Sequence, residues 1–573
     1  MTVSADDYYD LGSHSRPVTT DSEAAQLWFD RGLVWSYGFN HEEAVVCFER
    51  ALEHDPDLAM AHWGIAYSLG PNYNKPWQDF DPVDLATSLE RAFAAVNRAA
   101  AGAGGLTSAE RGLIEALRHR YPQAEAVEDC SIWNSGYVEA MRGVHEAHRD
   151  DLDVAALFAD ALMNVTPWEL WDQRTGEPAP GSHAVEARAV LDHALSLAGG
   201  REHPGVLHMY IHLMEMSAVP EQALPYADAL RDLVPDSGHL QHMPTHLDVL
   251  CGDYERVISS NSRAIEADEK YAARAGAMNF YTLYRCHDYH FRIYGAMFLG
   301  QRAVALETCE RLERAVPEVL LREEVPPMAD WLEGFLPMRM HVLIRFGEWQ
   351  SILDAELPRD PELYCVTTAM MHYAKAVAYA ATGQVDAAAA ERKLFTAAAA
   401  RVPESRMLFN NTCRDILAVA AAMLEGELEY RRGDCDRAFA ALRRSIDLDD
   451  GLPYDEPWGW MQPTRHAYGA LLLEQGRVEE AAAVYRADLG LDDTVPRSHQ
   501  HPGNVWSLHG YHECLTRLGR TGEAAIIGQQ LRLASARSDV TISASCFCRL
   551  SVADAPGEAS SEGPCCGAEA DGL

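Results

Sequence analysis

Residues 25–58 read AQLWFDRGLVWSYGFNHEEAVVCFERALEHDPDL and contain the pattern that decides the fold. Within a frame of 34 residues, six residues take the places that a pair of packed helices requires. They are Trp28, Gly32, Ala44, Phe48, Ala51 and Pro56, at positions 4, 8, 20, 24, 27 and 32 of the frame. Small residues let two helices pack closely, and proline ends the second helix because it lacks a backbone N–H. The stretch therefore predicts a helix-turn-helix unit.

These six positions together resemble the tetratricopeptide repeat. Frames of the same length begin at Pro204, Gly238 and Cys286. Weaker copies share a turn in which glycine is followed about five residues later by alanine; they lie at 346–349, 382–388, 432–438, 475–481 and 518–524. Glycine closes one helix in such a turn, and alanine packs the next. The resemblance implies an all-α fold, a tetratricopeptide superhelix built as a helix-turn-helix solenoid.

The repeat frames and their interruptions divide the chain into six predicted parts. They are a flexible N-terminus (1–21), N-terminal repeats (22–98), a helical segment with long loops (99–203), central repeats with a histidine cluster (204–318), C-terminal repeats (319–551) and a disordered tail (552–573). The tail is rich in Ala, Gly, Glu and Ser, a composition that cannot bury a core.

Charge limits the partners of the chain. Its 86 acidic and 48 basic residues give a formal net charge of −38. Such a surface repels phosphate backbones and anionic lipids, so we expect neither nucleic acid nor membrane as a partner. The start of the sequence lacks the basic and apolar segments of a signal peptide, and no run is long and apolar enough to span a membrane, which predicts a cytoplasmic protein.

Histidines are concentrated in the central repeats. The tetratricopeptide resemblance implies a concave groove lined by positions 2, 5, 9 and 12 of the first helix of each repeat. Three consecutive frames place seven histidines and one glutamate at those positions: His208, His212, Glu215, His239, His242, His246, His287 and His290. Tyr294 takes position 9 of the third frame.

Helix geometry supports this grouping without the family. His208, His212 and Glu215 are spaced so that they share one helix face. Pro244 is expected to open a helix, with His242 at its start and His246 in its first turn. Neighbouring helices pack about 8 to 10 Å apart, close enough for their imidazoles to share one ion. Neutral imidazole suits zinc, copper, iron and nickel, so the cluster predicts a transition-metal site.

Weaker candidates are predicted to bind substrate. His341, His466 and His509 fall at groove positions of later frames, and a superhelix could bring them across from the cluster. Further candidates are Asn72, Asn74 and Tyr210. For the three histidines, isolated polar residues of the groove are at least as good an explanation. Two cysteines in SCFCR (545–549) suit copper handling or redox chemistry.

The chain also resembles a group of bacterial tetratricopeptide-repeat proteins without an assigned function. The shared motifs are FNHEEA (39–44), GPNYN (70–74), HMYIHLMEM (208–216), GHLQHMPTH (238–246), YRCHDYH (284–290) and SCFCR (545–549). The resemblance extends from about residue 22 to about residue 550. It implies that the histidines act as a set, and it names no reaction.

These observations favour a metal-dependent oxidoreductase that acts on a small molecule in the groove. Many histidines with few carboxylates favour copper over a di-iron centre, and zinc or iron are the other candidates. Glu215 would be a ligand or the general base, and Tyr294 would supply a phenol for proton or radical chemistry.

Two other classes of function remain open. One is a scaffold that binds the peptide of a partner protein, although grooves of that kind usually present Lys, Arg and Asn. The other is a metal store or chaperone, which would bind metal without turnover.

The charge generates a first prediction. At physiological salt, the protein should show no measurable binding to DNA or to anionic vesicles, because its acidic surface repels both. Fluorescence anisotropy with labelled DNA and vesicle co-sedimentation test this. Tight DNA binding that weakens as salt is added would contradict it.

Overall fold

A computed structural model describes residues 8–102 and 104–549. Within them, 27 α-helices account for nearly all regular structure. They are α1 (Glu23–Tyr37), α2 (His41–His54), α3 (Ala59–Ser68), α4 (Pro82–Ala101), α5 (Ser108–Arg120), α6 (Asn134–Ala147), α7 (Leu152–Met163), α8 (Ala184–Ser196), α9 (Pro204–Glu215), α10 (Leu224–Leu230), α11 (Gly238–His242), α12 (Pro244–Leu250), α13 (Tyr254–Ala275), α14 (Tyr281–Leu299), α15 (Arg302–Ala315), α16 (Glu318–Leu321), α17 (Met328–Leu332), α18 (Met338–Arg345), α19 (Trp349–Asp354), α20 (Cys365–Ala381), α21 (Val385–Ala399), α22 (Cys413–Arg431), α23 (Cys435–Asp449), α24 (Thr464–Glu474), α25 (Val478–Asp488), α26 (Val505–Arg517) and α27 (Thr521–Ser535).

Strands are almost absent from the described part of the chain. One antiparallel pair of two-residue strands, β1 (Met407–Leu408) and β2 (Asn411–Thr412), precedes α22. Among the described residues, none of the helices is both long and apolar enough to cross a membrane. The predicted all-α class is confirmed.

The first repeat shows why the sequence folds in this way. Ser22 caps α1 by accepting a hydrogen bond from Ala25, and Asn40 caps α2 by accepting one from Glu43. The ring of Phe48 packs directly on the backbone of Gly32. A Cβ atom added at Gly32 would lie only 2.7 Å from this ring. The frame therefore has glycine at position 8 because no larger residue would fit against Phe48. The helix-turn-helix prediction for residues 25–58 is confirmed.

The later repeats follow the predicted turn chemistry. Helices pair as α20 with α21, α22 with α23, α24 with α25 and α26 with α27, each pair joined by a short turn. In the first two of these turns, Gly383 and Gly433 adopt φ values of +77° and +85°. An L-residue other than glycine is strained in this left-handed region, so glycine ends one helix and the chain reverses into the next.

Two compact units make up the structure, and each is described by itself. Unit 1 comprises the described residues up to 248 together with 259–288, and unit 2 comprises 249–258 and the described residues from 289 onward. The six-part division of the chain stays a prediction. Its disordered tail, 552–573, lies outside the described residues, as do residues 1–7.

Residues 8–21 of unit 1 pack against its helices. The ring of Tyr8 lies edge-on to Trp28, with ring centroids 5.0 Å apart. The Arg16 guanidinium donates hydrogen bonds to the carboxylates of Asp151 and Asp153, at 2.7 and 2.9 Å. This part of the segment predicted to be flexible is held by ring contacts and buried charge.

The segment GHLQHMPTH (238–246) forms parts of two helices and differs from the prediction at His242. Pro244 opens α12, as predicted, and His246 lies in its first turn. His242, however, is the last residue of α11 and not the start of the following helix. Because Pro244 has no N–H, it cannot bond to the carbonyl four residues earlier, so the helix breaks there.

A prediction concerns the packing of Gly32. Gly32→Ala should destabilise unit 1 by ~1–3 kcal/mol, because the added Cβ overlaps the Phe48 ring and the overlap outweighs the gain of up to ~1 kcal/mol in helix propensity. Thermal and urea unfolding followed by circular dichroism measure the change. Gly522→Ala is the matched control, because Gly522 lies in α27 and a Cβ added there has no atom within 4 Å. The free energy of unfolding of this variant should equal or exceed that of the wild type. Equal stability of the Gly32→Ala variant would contradict this packing.

Candidate functional site

Six of the seven predicted histidine ligands come together in unit 1. They form two groups of three, in which one ring nitrogen of each histidine lies within 4.8 Å of those of the other two. The first group, triad A, is His208, His212 and His239; the second group, triad B, is His242, His246 and His287. All six are buried, and none exposes more than 7% of its surface. These are groups that could hold a metal ion.

Triad A is built by α9 and α11. Nδ1 of His208 lies 2.6 Å from the carbonyl oxygen of Tyr37, the last residue of α1. Nε2 of His208 lies 3.1 Å from Nε2 of His239. Nδ1 of His212 lies 3.0 Å from Oε1 of Glu215, and Nε2 of His212 has no hydrogen-bond partner among the described residues.

Triad B is built by α11, α12 and α14. Nε2 of His242 lies 2.7 Å from Nε2 of His246. Nδ1 of His242 lies 2.7 Å from Oδ1 of Asn261 and 3.3 Å from Oδ1 of Asp288. The amide of Asn261 donates to the Thr245 hydroxyl oxygen at 3.3 Å, which leaves its carbonyl oxygen facing the histidine.

Glu215 connects the two triads. Its Oε1 faces Nδ1 of His212 at 3.0 Å, and its Oε2 faces Nδ1 of His246 at 2.7 Å. The rings of His212 and His246 are 5.7 Å apart, and those of His239 and His242 are 6.0 Å apart, so the triads are adjacent. From the sequence, Glu215 is expected to be a metal ligand or the general base. In the structure it forms a group with His212 and His246 that could hold a metal ion, and its contacts with both Nδ1 atoms also suit it to orient these two histidines.

The partners at Nδ1 determine what each ring offers at Nε2. A carbonyl or carboxylate oxygen only accepts hydrogen bonds, so the Nδ1 atoms of His208, His212, His242 and His246 carry the proton and donate it. In a neutral imidazole, Nε2 then carries only a lone pair. The 2.7 Å contact between His242 and His246 therefore brings two lone pairs face to face. An ion between the rings turns this repulsion into attraction.

Burial keeps the rings of His208, His212, His239 and His242 neutral. Desolvation lowers the pKa of His208 to about 3 and holds the pKa values of His212, His239 and His242 well below the ordinary range. For the last three, neighbouring histidines lower the pKa further, because a second positive charge would lie close by. Neutral imidazole is the form that binds transition metals.

An aromatic wall covers triad A. Phe39 stacks on His212 and His239, with ring centroids 5.8 and 5.5 Å away. Tyr73 and Trp168 lie 4.8 and 5.9 Å from His212. Phe39 and Trp168 adopt positive φ values of 54° and 61°, a conformation that costs energy outside glycine. The fold holds these two bulky residues in a strained backbone beside His212.

A cavity of about 370 Å³ is lined in part by Phe39. Phe39 and Tyr281 line it, and both also contact triad A, since the Tyr281 hydroxyl oxygen accepts a hydrogen bond from the backbone N–H of His239 at 3.1 Å. Lys75 and Asn72 supply part of its polar lining. Its volume is in the range of small-molecule sites in proteins.

A further group in unit 1 anchors Tyr37, which in turn orients His208 of triad A. This group consists of His14, Asp153 and His203. Oδ1 of Asp153 faces Nε2 of both histidines at 3.1 Å and accepts the hydroxyl of Tyr37 at 2.7 Å. Nδ1 of His203 accepts the N–H of Val206, so its Nε2 donates to Asp153. The carboxylate is thus already saturated by N–H and O–H donors, and it anchors Tyr37, whose carbonyl holds His208.

The other predicted residues of unit 1 lie outside the triads. Asn72 folds a turn by accepting the N–H groups of Asn74 and Lys75 through its Oδ1. Asn72 lines the cavity, whereas Asn74 is only part of its turn. Tyr210 lies against Tyr226 and donates its hydroxyl to Asp192 at 3.0 Å.

Five predicted residues belong to unit 2. Nε2 of His290 lies 2.8 Å from the sulfur of Met461, the ring of His341 lies 4.9 Å from that of Trp460, and Nε2 of His466 lies 3.0 Å from Oδ2 of Asp488. Tyr294 stacks on Phe298 with ring centroids 4.3 Å apart, and His509 is partly buried in α26. None of them belongs to either triad of the described residues.

Sequence reasoning missed the residues that orient and enclose the histidines. Asn261, Asp288 and the Tyr37 carbonyl hold Nδ1 atoms, and Phe39 and Trp168 cover triad A. The motifs FNHEEA, GPNYN and YRCHDYH contain Phe39, Tyr73 and Asp288, so membership of these motifs was a usable signal. Asn261, Tyr37 and Trp168 carried no such signal.

No protein-family model matches the chain, and no curated protein is similar to it at a significant level. Among solved structures, the APC/C hetero-tetramer Cut9-Hcn1 shares 14% identity over 76% of both chains with a TM-score of 0.28. Yeast Tom70 shares 11% identity over 89% of this chain and 90% of its own, with a TM-score of 0.27. Naa15/Naa10 bound to HypK-THB gives 13% identity, 89% and 70% coverage and a TM-score of 0.20. These scores are too low to indicate function, so the repeat fold rests on the helix pairs described above.

Glu215 generates a prediction about the site. Glu215→Gln leaves one acceptor oxygen where two Nδ1–H groups need one each, so metal affinity should fall by ~10–100-fold while the helices persist. Competitive titration with a metal chelator measures affinity, and circular dichroism checks the fold. The exposed Glu202→Gln substitution in the same unit is the matched control and should bind metal like the wild type. Unchanged affinity in Glu215→Gln would contradict its orienting role.

Proposed function

We propose that unit 1 binds two transition-metal ions, one at triad A and one at triad B, and that the protein is a metal-dependent oxidoreductase acting on a small molecule. The observation that carries this proposal is the pair of Nε2 to Nε2 contacts, 3.1 Å between His208 and His239 and 2.7 Å between His242 and His246. In triad B both Nε2 atoms carry lone pairs, so an ion between them would relieve their repulsion. In triad A the Nδ1 atom of His239 has no hydrogen-bond partner among the described residues, so removal of its Nε2 proton would leave two nitrogens facing one ion.

The donor set favours copper. Each triad offers three imidazoles, and Glu215 faces the Nδ1 atoms of His212 and His246. Di-iron centres take most of their ligands from carboxylates, which this arrangement does not supply. Zinc and iron are the other candidates for the same nitrogen ligands. Three protein ligands also leave a coordination position open for a substrate, as in catalytic metal sites.

Two adjacent candidate metal sites and a nearby cavity support an oxidoreductase. A pair of copper ions can exchange two electrons with one substrate, and copper commonly serves one-electron and O₂ chemistry in proteins. The cavity of about 370 Å³ would hold the substrate, and Phe39 both lines this cavity and contacts triad A. Movement of this side chain would connect the two. The residues proposed to face the substrate are therefore Asn72, Lys75 and Tyr281.

The repeat fold supports a second candidate, a scaffold that binds a partner protein. In this case the partner would use the outer repeat surface, because the six histidines are buried and cannot contact a peptide as the chain is folded. A metal store or chaperone would use the same triads but would not turn over a substrate.

Metal content tests the proposal. The untagged protein loaded with Cu(II) and freed of excess metal should retain about two ions per chain at the triads, one for each set of three imidazoles. His212→Ala combined with His246→Ala should remove most of this metal, since it takes one ligand from each triad. Elemental analysis measures the metal, and circular dichroism measures helix content.

The matched control replaces two exposed histidines of the same unit, His119 and His193, by alanine. This control should keep the full metal content. Full retention of copper by the His212/His246 variant, with its helices intact, would contradict the proposal.

Turnover separates the enzyme from a store or scaffold. The copper-loaded protein should oxidise a small phenol repeatedly, with continuous O₂ uptake that the His212/His246 variant lacks. Phe39→Ala should raise the rate, because it opens the wall between cavity and triad A. An oxygen electrode measures this. Two bound ions with a single round of reduction and no further O₂ uptake would support the store instead.

A further inference from the structure

A close contact between two soft donor atoms lies in the interior of unit 2. Nε2 of His290 is 2.8 Å from the thioether sulfur of Met461. Both side chains are buried: His290 exposes 1% of its surface, and Met461 exposes none. Thioether sulfur is only a weak hydrogen-bond acceptor. A hydrogen bond to this sulfur offsets little of the free energy that burying an imidazole costs.

The segment that carries Met461 also contacts a second buried histidine. His341 lies edge-on to Trp460, with ring centroids 4.9 Å apart, and its backbone carbonyl accepts a hydrogen bond from the Gln462 side chain at 2.7 Å. Nδ1 of His341 has no hydrogen-bond partner among the described residues, although the side chain is 2% exposed. Residues 460–462 thus contact both buried histidines, and the two rings are close enough for charge on His341 to lower the pKa of His290.

We propose that His290, Met461 and His341 form a site for one monovalent soft metal ion, copper(I). This site belongs to unit 2 and is independent of the two triads of unit 1. It would bind copper(I) through two imidazole nitrogens and one thioether sulfur. None of these three residues belongs to triad A, to triad B or to the lining of the cavity in unit 1.

The donor chemistry selects the ion. Imidazole and thioether are neutral, and thioether is a soft ligand that suits copper(I). Among the described residues, no carboxylate forms an ion pair or hydrogen bond with any of the three side chains. A divalent ion would therefore bring two uncompensated charges into the protein interior, whereas a monovalent ion brings one. Burial also lowers the pKa of both His290 and His341 to about 3, so both rings are neutral donors.

Methyl NMR on the full chain tests the site directly. The protein is labelled with ¹³C at its methionine methyl groups and titrated with silver(I), a redox-inert stand-in for copper(I). The resonance of Met461 is the one that disappears in Met461→Leu. It should shift and saturate with one equivalent of silver(I) bound at this site, because the metal bonds to the adjacent sulfur. The resonance of Met141, buried in α6 of unit 1, is the matched reference and should stay in place.

Two substitutions make the assignment specific. His290→Ala should weaken the silver-dependent shift of Met461 by at least ~10-fold in affinity. His341→Gln, which keeps a polar side chain, should weaken it as well. Zinc(II) at the same concentration should leave the Met461 resonance unmoved. A Met461 methyl that ignores silver(I), or one that responds equally in the His290→Ala variant, would overturn the proposal.

Discussion

The energetic problem that organises unit 1 is the burial of imidazole nitrogens against one another. His242 and His246 point Nε2 atoms at each other from 2.7 Å, and His208 and His239 do so from 3.1 Å. Hydrogen bonds at Nδ1 fix the tautomers of three of these rings, and burial lowers the pKa of His208, His239 and His242. Such an arrangement needs a rigid frame on all sides, and the surrounding elements supply it.

The turn of the first repeat is part of that frame. Tyr37 ends α1, where carbonyl groups lack helical partners, and its carbonyl accepts the Nδ1 proton of His208. Its hydroxyl is anchored by Asp153, and Phe39 follows at a positive φ to cover triad A. Thus the residues that join two repeat helices also orient a ligand. The break at Pro244 also lies between two ligands, because it separates α11, which carries His242, from α12, which carries His246.

Much of this could be predicted from sequence, because repeat signatures and helix spacing are local. The frames located α9 and the start of α12, and the shared helix face brought His208, His212 and Glu215 together. The repeat frames predict histidines that line a groove, and they do not predict that the cluster is buried. This burial depends on the long-range packing of Phe39, Tyr73 and Trp168. Asn261 and the Tyr37 carbonyl were also beyond prediction, since a backbone oxygen has no signature in a sequence.

His290 shows the limit of reasoning from a repeat position. It shares a frame with His287, yet it lies against Met461 in unit 2, and the frame contains no information about that partner 171 residues away. Position within a repeat predicts which face of a helix a residue occupies. It does not predict which side chain from a distant part of the chain meets it there.

The most direct test of the central claim is a crystal structure of the copper-loaded protein with anomalous diffraction data collected above and below the copper edge. Two adjacent peaks are expected in unit 1, one within ~2.0–2.1 Å of a nitrogen from each of His208, His212 and His239, and one at the same distance from His242, His246 and His287. Fully loaded protein without anomalous density at either triad would contradict it.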